Sequence, residues 1–322
     1  MSKNPVASTT PSRSQVQAAS HRIDGLVRRT PVLTLPAHDL GVDAEITLKL
    51  ESFQHTGSYK PRGVFNRLLA RGDVGPGDTV VAASGGNHGI AVAHAARRLG
   101  FRAHIFVPEI TAKAKIDVIR SYGADVTVTG AVYADALDAS KQYAEATGAR
   151  TIHAFDEIEL IIGQGTIGRE LSEQAPQLET VLVAAGGGSL LAGVAAWFAG
   201  SGVQVIGVEP ERACAVGQAI SAGRPVDVDV GGVAADSLGA RRVGEWTFPV
   251  IRDHVSTMLR VTDEQILEAQ RLLWRRMRLV TEPGGATAIA ALLSAQYVPK
   301  AGERVGIVIC GANTHPDSVA MS

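Results

Sequence analysis

The sequence predicts an α/β protein of parallel-rich, twisted sheets flanked by helices. Three observations carry this. Short β-branched runs alternate repeatedly with longer apolar helical stretches, as crossover-connected parallel strands require. Glycine-rich segments stand directly after several of those runs. Glycine itself is abundant, 35 of 322 residues, or about 11% against a usual ~7%.

The elements follow in order. Val16, Ala19, Ile23 and Leu26 have helical spacing. Ile46, Leu48 and Leu50 alternate with Thr47 and Lys49, as a half-buried strand would. Thr79 to Ala82 reads as a buried strand, followed by a helix from about Asn87 to Leu99. Strands at Ala103–Val107 and Asp125–Thr129 alternate with helices at Ala112–Ser121 and Ala134–Thr147. Beyond Gln164 the pattern resumes through Val181–Ala184, Leu190–Ala199 and Val203–Val208, and the last strand is Val305–Ile309. In such folds ligands sit beyond the carboxyl ends of the strands.

Length and composition narrow the function. A chain of 322 residues suggests about two domains at ~150 residues each. Lys plus Arg number 31 and Asp plus Glu 32, so the net charge is −1. That leaves no electrostatic footprint for nucleic acid or an acidic membrane. Aromatic residues at 5% also argue against stacking platforms for single strands. Two cysteines, Cys214 and Cys310, provide neither a disulfide framework nor a Cys-rich zinc site. Residues 1–14 read as a disordered tail, because they are polar and lack an apolar signal-peptide core. Thr180 to Val208 is uncharged and long enough to span a bilayer, but Gly186-Gly187-Gly188-Ser189 divides it into strand, helix and strand. A cytoplasmic protein without membrane contact is expected.

Four clusters bear chemistry. In Thr56-Gly57-Ser58-Tyr59-Lys60-Pro61-Arg62-Gly63, Ser58 looks like the cap of a new helix. A lysine at a helix N-terminus opposes the helix dipole. Packed among Tyr59 and Phe65, Lys60 would have a lowered pKa and suit Schiff-base chemistry; the alternative is an exposed surface lysine. Ser84-Gly85-Gly86-Asn87-His88 joins a strand to a helix, where backbone amides and the Ser84 hydroxyl make an anion site or merely a turn. Here His88 reads as a helix-start residue making local bonds. Gly186-Gly187-Gly188-Ser189-Leu190 is another such turn, and its glycines let amides converge on an oxyanion. It matches neither the dinucleotide nor the Walker pattern. Cys310, in Val308-Ile309-Cys310-Gly311-Ala312-Asn313, is either a small core residue or one facing a ligand.

Taken in this order, with Gly163-Gln164-Gly165-Thr166 and Glu282-Pro283-Gly284-Gly285-Ala286, the clusters resemble the fold-type II pyridoxal-phosphate enzymes. The resemblance is to the serine/threonine dehydratase (threonine ammonia-lyase) branch and runs from about Val16 to Asn313. It implies a two-domain, tryptophan synthase beta-like fold. Residues 15–78 and 156–322 would form a large cofactor-binding domain, and residues 79–155 a small inserted one. It implies pyridoxal 5′-phosphate bound covalently by Lys60 and a small amino-acid substrate. Asn87 would bond the ring hydroxyl, Gly186, Gly187, Gly188, Ser189 and Leu190 the phosphate, and Cys310 would stand at the pyridine nitrogen, with Glu282 nearby. Ser84, Gly85 and His88 would receive the substrate carboxylate.

The departures from the family pattern are informative. Tyr59 replaces a common Phe, and Ser189 replaces a fourth glycine. Racemases carry a serine as opposite-face base where this chain has Gly85, which disfavours racemisation. Their divalent metal uses a Glu and an Asp six positions later; here these are Glu209 and Ala215, so no metal is expected. No effector domain is expected after Asn313. The expected activity is β-elimination of L-threonine or L-serine, by a homodimer. The alternatives are another β-hydroxy amino acid such as 3-hydroxyaspartate, racemisation or β-replacement, or a non-enzymatic binding protein, which need not retain Lys60.

Overall fold

Runs of β-branched residues form two separate sheets in the computed structural model, which describes residues 10–320. The first sheet contains β1 (Val32–Leu35), β2 (Ala44–Leu50), β7 (Thr180–Ala184), β8 (Gln204–Pro210), β9 (Thr257–Val261) and β10 (Glu303–Ile309), in the order β1-β2-β10-β7-β8-β9. Only β1 runs antiparallel. The second contains β3 (Thr79–Ala83), β4 (Arg102–Val107), β5 (Asp125–Val128) and β6 (Arg150–Thr151), in the order β5-β4-β3-β6 and wholly parallel. The chain thus enters the first sheet, builds the second without interruption and then returns.

Helices supply the crossovers. They are α1 (Arg13–Arg22), α2 (Lys60–Ala70), α3 (Asn87–Leu99), α4 (Lys113–Ser121), α5 (Tyr133–Thr147), α6 (Ile158–Gln174) and α7 (Ser189–Phe198). After β8 come α8 (Ala215–Ala222), α9 (Ala235–Leu238), α10 (Thr247–His254), α11 (Asp263–Met277) and α12 (Pro283–Leu293). One apolar core lies against the first sheet and includes Leu48, Val183, Leu191 and Ile307; another, with Val80, Ile105 and Ile119, lies against the second. A parallel sheet covered on both faces needs continuous apolar strands, which is why all five residues of β7 are buried.

Several expectations change. α1 starts at Arg13, inside the segment read as a tail, because the Ser12 side chain accepts from Gln15 N and closes a capping box. Residues 1–9 of that segment lie outside the described residues. α1 stops at Arg22, so Leu26 falls beyond it. β2 is not half-buried: Thr47 and Lys49 are buried with their apolar neighbours. Thr47 lies between Thr34 of β1 and Gly306 of β10, and Lys49 is accommodated by a four-charge network. Arg62 donates to both oxygens of Glu51 at 2.8 Å and to those of Glu170 at 2.7 and 2.8 Å. Lys49 donates to Glu170 at 2.6 Å, to Gln174 at 2.8 Å and to the Thr30 carbonyl at 2.8 Å. Two cations and two anions satisfy one another, so they can leave water.

Gly163-Gln164-Gly165-Thr166 lies within α6. Its glycines allow close helix packing: a Cβ on Gly163 would come within 2.6 Å of the Arg62 carbonyl oxygen. That contact holds α6 against α2, the helix that begins with Lys60.

Candidate active site

The loop before α2 is stitched to the loop after β10. Tyr59 N donates to the Cys310 carbonyl at 3.1 Å, Ala312 N donates to that of Gly57 at 2.8 Å, and Ser58 bridges Gly311. Lys60 and Cys310 thereby become neighbours across 250 residues of sequence. Lys60 opens α2 with Pro61 behind it, but Ser58 is not the cap. The N-cap is Tyr59, which makes no capping side-chain bond, while Ser58 Oγ is buried without a partner.

Lys60 Nζ donates to the Ala154 carbonyl at 2.8 Å and lies 5.2 Å from the Tyr59 ring centroid. Desolvation pushes its pKa down to about 8, against the opposing pull of Cys310 and Glu282. The lowered pKa expected from the sequence is therefore present, and its cause is lost hydration. Burial raises the Tyr59 phenol, and the Ser189 hydroxyl, its hydrogen-bond partner, opposes that rise. The two departures from the family pattern are thus in contact. Burial also pushes the Cys310 thiol up and keeps it neutral; it lies 3.3 Å from the Gly284 carbonyl.

Asn87 begins α3. Its Nδ2 donates to Glu282 Oε1 at 2.6 Å, and its Oδ1 accepts from Asn313 Nδ2 at 2.6 Å. Asn313 also donates to the Thr56 carbonyl at 2.7 Å. The sequence placed Asn313 in a motif without giving it a task; only this long-range pairing reveals one. Burial pushes Glu282 up to about 7, opposed by the Asn87 bond. The glycine at 311 makes room for that carboxylate, since a Cβ there would lie 2.2 Å from Glu282 Oε1.

The loop after β3 is tight. Gly86 N donates to Ser84 Oγ at 3.2 Å, and a Cβ on Gly85 would meet Thr111 at 2.5 Å. His88 does not bond locally as expected. Its Nε2 pairs with the Ile152 carbonyl at 3.0 Å, and its buried Nδ1 has no partner. Burial, and then Lys60, push it down to about 3, so the ring is neutral.

Gly186, Gly187 and Gly188 precede α7. Gly188 has φ +99°, and a Cβ on Gly187 would strike the Phe155 ring at 2.4 Å. The Gly187 carbonyl accepts from Thr247 Oγ1 at 3.0 Å. α7 has no side-chain cap and no acidic residue in its first turn, so its leading amides and positive dipole end suit an anion. Leu190 is buried in the core, which leaves only its backbone for a ligand. This glycine cradle, the uncapped helix end and the unpartnered Ser58 Oγ and His88 Nδ1 fit a phosphorylated ring held beside Lys60.

Glu209 has a separate task. Its carboxylate accepts from Gly217 N at 3.1 and 3.2 Å, caps α8 and lies 3.6 Å from Arg260 Nε. Burial pushes it up to about 7. Among the described residues, no group of three or more His, Cys, Asp or Glu is placed to hold a metal ion. No helix among them is long and apolar enough to cross a membrane.

The chain is 36% identical to a phenylserine dehydratase of Ralstonia pickettii over 95% of its own length and 94% of the relative's. It is 34% identical to an L-threo-3-hydroxyaspartate ammonia-lyase of a Pseudomonas species, covering 94% of this chain and 95% of the other. Among solved structures, a threonine deaminase of T.th. superposes with a TM-score of 0.88 at 36% identity, covering 95% of this chain and 99% of that one. The α/β fold inferred from the strand–helix alternation is that of the fold-type II enzymes. Residues 23–311 match the model of the pyridoxal-phosphate dependent enzymes, so this chain is an enzyme that belongs to that family and depends on that cofactor.

Proposed function

We propose that this protein is an ammonia-lyase that converts L-threonine or L-serine to 2-oxobutyrate or pyruvate plus ammonia. The observation that carries the reading is Lys60: an amine with its pKa pushed down to about 8, next in sequence to the tyrosine that meets the glycine cradle.

Pyridoxal phosphate, when bound, withdraws electrons from the substrate Cα. The remaining work falls to this chain. Lys60 is the residue that would hold the cofactor covalently and, once released, its amine takes the Cα proton. The backbone of Gly186 to Leu190 and the Ser189 hydroxyl would hold the phosphate. Asn87 would turn its amide from Glu282 toward the ring hydroxyl. The Cys310 thiol, kept neutral by burial, would place no charge at the ring nitrogen. The amides at the start of α3, with Ser84 and His88, would receive the substrate carboxylate.

Gly85 favours elimination over inversion, because it offers no side-chain proton on the face opposite Lys60. Loss of the Cα proton and the β-hydroxyl removes water; the released enamine takes water back and yields the 2-oxo acid and ammonia. Residues 79–155 would act as a small lobe that closes on ligand and excludes water. A cytoplasmic homodimer remains part of this reading. Racemisation and β-replacement are the competing reactions. The deciding experiment is a 2-oxo acid and ammonia release assay on L-threonine and L-serine; no release from either, with cofactor bound, overturns the proposal.

A further inference from the structure

We infer that the site selects substrates whose β-carbon carries an uncharged aryl or alkyl group and rejects those with a second carboxylate. This rests on the ammonia-lyase reading. The four parallel strands β3 to β6 present their carboxyl ends on one side of their sheet. The loops that follow are residues 84–88, 108–112, 129–133 and 152–156. They belong to the site: Lys60 bonds Ala154, His88 bonds the Ile152 carbonyl, and Thr111 abuts Gly85. Glu109 N donates to the Gly130 carbonyl at 2.9 Å and joins the β5 loop to the others.

None of these loops contains a lysine or an arginine. Their two histidines are not cations near neutral pH. His88 is pushed down to about 3, and burial also lowers His153, whose Nδ1 already accepts from Phe155 N and Asp156 N. The formal charges in the loops are anionic, Glu109 and Asp156. Just outside, Lys113 is paired with Asp117 and Lys115 with Asp236. The start of α3 is assigned to the substrate's α-carboxylate. A β-carboxylate would lose its hydration and meet no lysine or arginine in these four loops, which is unfavourable.

An uncharged group meets a different surface. Ile110, Val132 and Tyr133 stand in these loops with 83%, 55% and 45% of their surface exposed. Phe155 adds an aromatic ring next to Gly187 in the cradle. Covering such apolar surface with an aryl or alkyl substituent is favourable, whereas ordinary loop tips are polar.

The test measures kcat/KM of the holoenzyme for L-threo-phenylserine, L-threonine and L-threo-3-hydroxyaspartate. In parallel, spectral titration of the bound cofactor gives each Kd. Phenylserine should exceed hydroxyaspartate by about tenfold or more in both measurements; a smaller ratio overturns the inference. Ile110→Arg, at an exposed position where folding is safe, should narrow the ratio; an unchanged ratio shows that the β-substituent lies elsewhere and also overturns it. Hydroxyaspartate turnover that collapses in Lys115→Met would reveal Lys115 as the missing cation, with the same consequence. If none of the three releases a 2-oxo acid, the ammonia-lyase reading falls, while the Kd ratio still decides the charge preference.

Discussion

Asn87 donates to Glu282 across 2.6 Å, tying the first residue of α3 to the N-cap of α12, 195 positions away in sequence. The carboxyl is buried, and desolvation is the larger influence, so its pKa stands at about 7 despite that bond. In the unfolded chain it ionises near 4.5. Between these values the folded state holds a proton that the unfolded state releases, so stability present below about pH 4.5 is lost as pH rises through about 7. Glu209 adds a similar slope. In the cofactor-free protein, Glu282→Gln should remove the Glu282 share, on the order of 3 kcal/mol at most. Urea midpoints at pH 5 and pH 8 check this: an equal drop in wild type and variant means that Glu282 does not hold the proton.

Lys60→Ala should abolish the visible absorption band of the lysine-bound cofactor and lower kcat by about three orders of magnitude or more. Borohydride reduction of the wild type followed by peptide mapping should place the label on Lys60. A label on any other lysine would refute the assignment.

The Lys49–Glu51–Arg62–Glu170 network should be costly to break from one side. Arg62→Met strands the Glu51 carboxylate without a cation, leaves Glu170 to Lys49 alone and should destabilise the fold by about 3–5 kcal/mol. Arg62→Met combined with Glu51→Gln keeps the Lys49–Glu170 pair balanced and should recover part of that loss. Denaturant midpoints of the single and double variants measure it; a double variant less stable than the single would show that Glu51 contributes independently of Arg62.

Gly85→Ser should not convert the enzyme into a racemase by itself. The added Cβ would lie 2.5 Å from Thr111 Cγ2, and a β-branched side chain cannot swing aside as a lysine would. Gly85→Ser with Thr111→Ala relieves the clash and should yield more D-serine from L-serine than either single change. Following D-serine and pyruvate together tests it. Substantial D-serine from the wild type would mean that another group reprotonates the opposite face.

Local chemistry made part of this protein readable. β-branched runs report strands, and glycines directly after them report backbone that must turn or approach a ligand. The alternation through Thr79–Ala82, Asn87–Leu99 and Ala103–Val107 therefore appears in β3, α3 and β4 with shifts of a residue or less. A lysine at a helix start was a local anomaly, so Lys60 stood out as well. α6 was missed because glycines within a helix weaken its local signal by up to ~1 kcal/mol each, and their reason is distant: Gly163 faces α2, whereas Gly165 and Gly168 face α7.

The α/β alternation, the strand-end loops and the ordered motifs that place the chain in its family are written in short stretches of residues. What each polar group meets follows from the folded chain. It buried Lys49 and Thr47 in a strand that reads as half-exposed, left Ser58 without a capping task and sent His88 to the Ile152 carbonyl. It also brought Asn313 to Asn87 and Glu282 to the space that Gly311 leaves open. Secondary-structure preference is a property of a few neighbouring residues. Whether a charge can leave water depends on partners that only the folded chain assembles.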